Sequence, residues 1–227
     1  MKIISDIRIY TSDTINVDGN PLPNDINDKK SNLAVKRIAM KLREGHFSLG
    51  DYDHLYINFT TCLVENGISL SHRSVDRYRP WFRYFDYHIE KGFLEEMIAD
   101  ESHKKLISSV LKVLLCFSCN DENDKQKIID AGNSAVEGEK MRVIFKEKNN
   151  VNYSAIIFLR LFDDGKYHPT LQVKSCESVI LEKELEPTVD LGTLGDIQLN
   201  NKKVTVKPRK SVLYSSLEPV SFNLVEI

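Results

Sequence analysis

The feature that most restricts the fold of this chain is a change of hydrophobic period near residue 140. Before that point apolar residues recur at helical spacing in several segments, and after it they alternate. Leu33, Arg37, Ile38, Lys41 and Leu42 follow the i, i+4 rhythm, Ser31 or Asn32 stands where a cap belongs, and Gly45 supplies a stop. The spacing predicts a helix lying on a sheet through Leu33, Ile38 and Leu42. A strand is expected before it, over Lys2 to Tyr10 with Ile3, Ile7 and Ile9 on one side, and another after it, over Asp53 to Leu63. The turn-rich stretch from Thr11 to Lys30 reads as a surface loop. Phe93 to Ala99, Ser102 to Ser118 and Asp121 to Gly138 carry further helical patterns. The second of these is so apolar that burial against the C-terminal sheet is expected, and Gly132 weakens the third.

Beyond residue 140, Met141 to Lys146, Asn152 to Phe162, Tyr167 to Val173, Ser178 to Leu185, Val204 to Val206 and Val212 to Val225 read as strands. Asp164-Gly165 and Asn200-Asn201 are the expected hairpin turns. The order indicates an α+β fold: an N-terminal strand-helix-strand, central helices and a C-terminal, mainly antiparallel β-sheet. No linker forces a division, so residues 1–227 are read as a single α+β domain. The alternative is a subdivision near 140 into a mixed part (1–139) and a β-rich part (140–227).

Charge and cysteine usage narrow the function classes. The 227 residues hold 31 Lys plus Arg against 33 Asp plus Glu, a formal charge of −2, with 41% hydrophobic residues, which excludes polycationic and wholly disordered chains. Four cysteines, at 62, 116, 119 and 176, are too few for a disulfide scaffold and suit a reducing compartment. The longest apolar run, Val110 to Phe117, is broken by Lys112 and far shorter than a membrane span, and the first fifteen residues lack a signal-peptide pattern. A cytoplasmic location and no membrane partner are expected.

No catalytic signature emerges. The six histidines, at 46, 54, 72, 88, 103 and 168, form no metal-binding spacing, and the phosphate-cradling loops and the nucleophile elbow are absent. Cys116-Phe-Ser-Cys119 lacks the second ligand pair that zinc needs and closes a helix instead of opening one, so both thiols are read as buried structural cysteines. The expectation is a non-enzyme with no catalytic residue, no metal and no cofactor.

Two charged segments remain as binding candidates. Arg73, Arg77, Arg79 and Arg83 interleave with Tyr78, Trp81, Phe82, Tyr84, Phe85 and Tyr87, a pattern that could grip phosphates and stack on bases. Asp76 and Asp86 halve its local charge and the whole chain is acidic, so internal packing is favoured and nucleic acid disfavoured as a partner. An RNA-binding or RNA-processing protein using the block 73–87, with Arg73, Arg77, Trp81 and Tyr84 as contacts, is the alternative function. Asn201 to Lys210 is +5 and reads as a solvated hairpin edge. From Glu90 to Glu139, eleven acids face six bases. Glu95, Glu96, Asp100, Asp121, Glu122 and Asp124 are the candidate partner-binding residues, since complementary charge speeds encounter and fixes register.

The stretch Leu55-Tyr-Ile-Asn-Phe-Thr-Thr-Cys-Leu63, followed by Arg73-Ser-Val-Asp-Arg-Tyr-Arg-Pro-Trp-Phe-Arg-Tyr84, resembles an immunity-protein family of bacterial polymorphic-toxin and contact-dependent growth-inhibition systems. The resemblance implies a cytosolic, non-enzymatic toxin inhibitor that binds the C-terminal toxin domain of a sibling effector, often a nuclease, and occludes its active site. A segment shared within such a family need not touch the toxin, because toxin surfaces differ. The interface is therefore expected on the acidic middle, whose carboxylates would meet a basic nuclease cleft.

Overall fold

The structure, a computed structural model, describes residues 1–71, 80–117 and 121–224. Its class is α+β. Tertiary contacts divide the chain into two compact units, Met1–Gly138 and Glu139–Ile227.

The N-terminal unit begins with β1 (Asp6–Ser12), the two-residue β2 (Asn24–Asp25), α1 (Lys29–Glu44) and β3 (His54–Thr60). After these come β4 (Ile68–Leu70), β5 (Phe82–His88), α2 (Phe93–Ala99), α3 (Lys104–Phe117) and α4 (Glu122–Val136). The sheet order is β2-β1-β3-β5-β4. β1, β3 and β5 run parallel, with Ile7 beside Leu55 and Ile57 beside Phe85, while β2 and β4 add antiparallel edges. Helix α1 makes the long crossover that a parallel β1–β3 pair requires.

Several sequence expectations are corrected here. Asp28, not Ser31 or Asn32, caps α1, its carboxylate accepting from the Ser31 amide at 2.7 Å, while Gly45 ends the helix as expected. Ile7 and Ile9 of β1 are buried on one side as expected, but ahead of the strand Ile4 is fully buried and Ile3 is 44% exposed, so Ile3 does not share their side. The segment from Phe82 to His88, within the Arg/aromatic block, is a strand inside the sheet. The apolar side of α3 joins Ile7, Ile9, Leu55, Ile57 and Phe59 in the core of this unit, together with Val35, Ile38 and Leu42 of α1 and Ile128 and Ala131 of α4. Its apolar face thus serves the N-terminal core and not a sheet built from the C-terminal half. Gly132 earns its place in α4, because a Cβ there would fall inside the Leu111 side chain of α3.

The C-terminal unit holds β6 (Val143–Asn149), β7 (Ser154–Leu161), β8 (Tyr167–Ser175) and β9 (Ser178–Glu184) as an antiparallel meander. In β7 buried residues alternate strictly with half-buried ones, which is the period-2 signal read from the sequence. A second sheet joins β10 (Asp196–Leu199), β11 (Lys203–Lys207) and β12 (Val220–Asn223) in that order. The basic segment at Asn201 to Lys210 is therefore not an edge, since β11 is the middle strand and Val204, Thr205 and Val206 are buried. The long strand expected over Val212 to Val225 is a 3-10 turn at Val212–Tyr214 followed by the short β12.

Candidate functional site

The two faces of the N-terminal sheet differ in chemistry. Ile7, Ile9, Leu55, Ile57, Phe59 and Phe85 point towards the helices. The alternate residues carry Arg8, Tyr10 and Ser12 on β1, Tyr56, Asn58 and Thr60 on β3, and Tyr84 and Asp86 on β5, because successive side chains leave opposite faces of a strand.

On the helix side, at the end of the sheet where the parallel strands begin, lies a cavity of about 470 Å³. Leu55 of β3, Arg83 and Phe85 of β5, Leu70 of β4, the loop Ser48–Tyr52 and Asp121 and Asp124 at the start of α4 line it. Its volume falls in the range of ligand and anchor pockets, roughly 300–1,000 Å³. Leu49, Leu55, Leu70 and Phe85 provide an apolar wall, and Leu70 is 45% exposed. Arg83 Nη1 donates to the Tyr52 hydroxyl at 2.8 Å, and its guanidinium sits 4.2 Å over the Tyr52 ring, so the cation is held against one wall. Across from it Asp121 caps α4 by accepting from the amides of Asn123 and Asp124, and Asp124 pairs with Lys127 at 2.9 Å.

The six acidic candidates do not form one patch. β5 leads directly into α2, so Glu95 and Glu96 stand at the carboxyl end of the parallel strands. Asp121 and Asp124 share their cavity with Gly50 and Tyr52, which precede β3 and so mark the opposite end. The 14 residues of α3 separate the two groups by about 21 Å at 1.5 Å per residue. Glu95 is exposed, and Glu96 pairs with Lys105 at 2.7 Å while remaining open to solvent. Glu122 is exposed beside Lys125. Asp100 accepts from the Ser102 hydroxyl at 2.6 Å and from the Lys105 amide at 3.1 Å, and these hydrogen bonds hold its carboxyl down at about 2. Asp100 and Asp121 therefore organise the starts of α3 and α4 and Asp124 is tied to Lys127, whereas Glu95, Glu96 and Glu122 are open to solvent.

Of the Arg/aromatic candidates, Arg73 and Arg77 lie outside the described residues. Trp81 is half-buried, with Lys2 Nζ 4.5 Å from its ring centroid, and its carbonyl accepts from the Asp53 amide. Tyr84 packs edge-on to Tyr56 at 5.1 Å, and Tyr56 meets Phe82 in the same way at 5.0 Å. Tyr56 and Phe82 are 6% and 7% exposed, so these rings are spent on each other and do not offer the open faces on which bases stack. Desolvation raises the Tyr56 phenol above its ordinary value. Cys116 is exposed in the last turn of α3, which corrects the expectation of a buried thiol, and Cys119 lies outside the described residues.

Among the described residues no group of three or more His, Cys, Asp and Glu side chains could hold a metal, and no helix is long and apolar enough to cross a membrane. The sequence reading named Asp121 and Asp124 but missed Arg83, Tyr52 and Leu70 as their companions. Nothing local marks that convergence, which depends on β5 sitting beside β3 and β4 beside β5. Compared with protein-family models, with curated proteins and with solved structures, the chain matches none.

Proposed function

We propose that this chain is an immunity-type inhibitor, a cytoplasmic, non-enzymatic protein that binds the C-terminal toxin domain of a bacterial effector and blocks it. The observation that carries the reading is the cavity between the sheet and the start of α4, where an apolar wall is rimmed by the Asp121 and Asp124 carboxylates. An apolar pocket inside a charged rim is how protein interfaces seat one anchoring side chain, with water excluded at the centre and charge setting register around it. A basic anchor from a nuclease cleft suits both parts, its methylene stem lying on Leu70 and Phe85 and its charge meeting the rim. Glu95, Glu96 and Glu122 add a negative field that steers encounter. The RNA-binding alternative is weakened by the mutual packing of Tyr56, Phe82 and Tyr84.

The test is the affinity of the neighbouring effector's toxin domain for variants of the full chain. Leu70→Ser and Asp124→Asn are each expected to raise the Kd at least about tenfold, as loss of an anchor contact does. Glu95→Lys with Glu96→Lys is expected to slow association and weaken its salt dependence with a smaller change in dissociation. Unchanged affinity for both cavity variants would remove the cavity from the interface.

A further inference from the structure

On the sheet face opposite the helices, Ser12, Asn58 and Asp86 form a hydrogen-bonded row across three parallel strands. Asn58 Nδ2 donates to Ser12 Oγ at 3.0 Å and to Asp86 Oδ1 at 2.7 Å. All three are buried, with 3%, 5% and 4% exposure. Both N–H groups of the amide are thus used, and its orientation is fixed because a carboxylate can only accept. Asn58 Oδ1 is left buried with no hydrogen-bond partner. Beside it lies a small, partly open space of about 10 Å³ lined by Asn58, Asp86, Tyr10, Tyr56, Tyr84 and Ser71, close to the least that holds one water-sized particle, roughly 10–15 Å³.

We infer that this space is a binding site for one monovalent cation of the size of a water molecule, with ammonium and potassium as the fitting ions. Three observations converge on a positive occupant. Asn58 Oδ1 lacks a donor. Asp86 brings a buried negative charge, and no lysine or arginine of the described residues is paired with it. Three tyrosines complete the lining, and their cluster already holds one cation, the Arg8 guanidinium 5.6 Å over Tyr56. A cation satisfies the amide oxygen and neutralises the carboxylate at once, whereas a neutral water does only the first. Sodium is smaller than the space, and tetramethylammonium is far larger.

The experiment compares thermal unfolding of the full chain in ammonium, potassium, sodium and tetramethylammonium chlorides at equal ionic strength. Binding to the folded state alone raises the midpoint saturably. A rise of roughly 2–4 °C in ammonium or potassium over tetramethylammonium, absent in Asp86→Asn, is the expected result. Equal midpoints in all four salts, or a difference that persists in Asp86→Asn, would overturn the site and leave a neutral water there. Should Asp86→Asn fail to fold, the parent chain in ¹⁵N-ammonium decides: a slowly exchanging bound-ammonium resonance supports the site, and its absence at saturating ammonium overturns it.

Discussion

Asn58 Nδ2 donates to Asp86 Oδ1 at 2.7 Å across the parallel strands β3 and β5, and both residues are almost wholly buried. Within a sheet whose other face is apolar, this pair fixes the register of β5 on β3, since a slip by one residue would point Asp86 into the hydrophobic core. Replacing Asn58 with Leu strands the carboxylate and is expected to cost on the order of 3 kcal/mol. Urea unfolding of N58L checks this, and a loss below about 1 kcal/mol would show that the pair is not a structural tie.

The contact of Gly132 with Leu111 sets how closely α4 approaches α3. Gly132→Val should destabilise by roughly 1–3 kcal/mol through overpacking, although valine has the better helix propensity of the two. Leu111→Ala in the same chain opens the space the new side chain needs. A double-mutant cycle by chemical denaturation is expected to give a favourable coupling of at least about 0.5 kcal/mol, and simple additivity would refute close packing at this point.

Asp100 supplies a pH dependence of known sign. Its carboxyl titrates near 2 in the folded chain, held there first by the Ser102 hydroxyl and then by the Lys105 amide, and near the ordinary 3.8 when unfolded. The stability it contributes is therefore present above about pH 4 and is lost as pH falls through the folded value. Asp100→Asn should flatten the fall of the urea midpoint between about pH 4 and pH 2. An unchanged slope in that window would assign the acid sensitivity to other carboxylates.

Elements with a one-sided period were legible in the sequence: α1, the meander β6 to β9, and the helices after residue 90 all show it. β5 was hidden because its residues, among them Arg83, Tyr84, Asp86 and Tyr87, follow no apolar alternation, and because the arginines and aromatics around it read as a packing or binding block. β2 and β10, with two and four residues, are too short to carry a period. The cap of α1 was misplaced by three or four residues because Asp28 sits in a run of turn formers with several competent side chains. Of the candidate site, the acidic residues were visible as charge. Their separation into two groups was not, since it follows from which end of the sheet each helix begins at.

The four-residue turn Leu191–Leu194 and the chain at Pro208 and Arg209 form a second close approach, in the C-terminal unit. A Cβ at Gly195 would overlap the backbone of both Pro208 and Arg209. Gly195→Ala should therefore destabilise by more than the few tenths of a kcal/mol typical of exposed turns, because backbone yields less readily than a side-chain tip. Loss of only a few tenths in a denaturant titration would contradict that packing.

The inhibitor reading is tested most directly by growth. The C-terminal toxin domain of a neighbouring effector, the partner that the proposal requires, is expressed in a bacterial host with the parent chain, with Leu70→Ser plus Asp124→Asn, or with an empty vector. The account predicts full growth with the parent, co-elution of chain and toxin domain as a stable complex, and loss of both with the double variant while its melting midpoint stays near that of the parent. Unrelieved toxicity with the folded parent chain, and no complex on gel filtration, would contradict it.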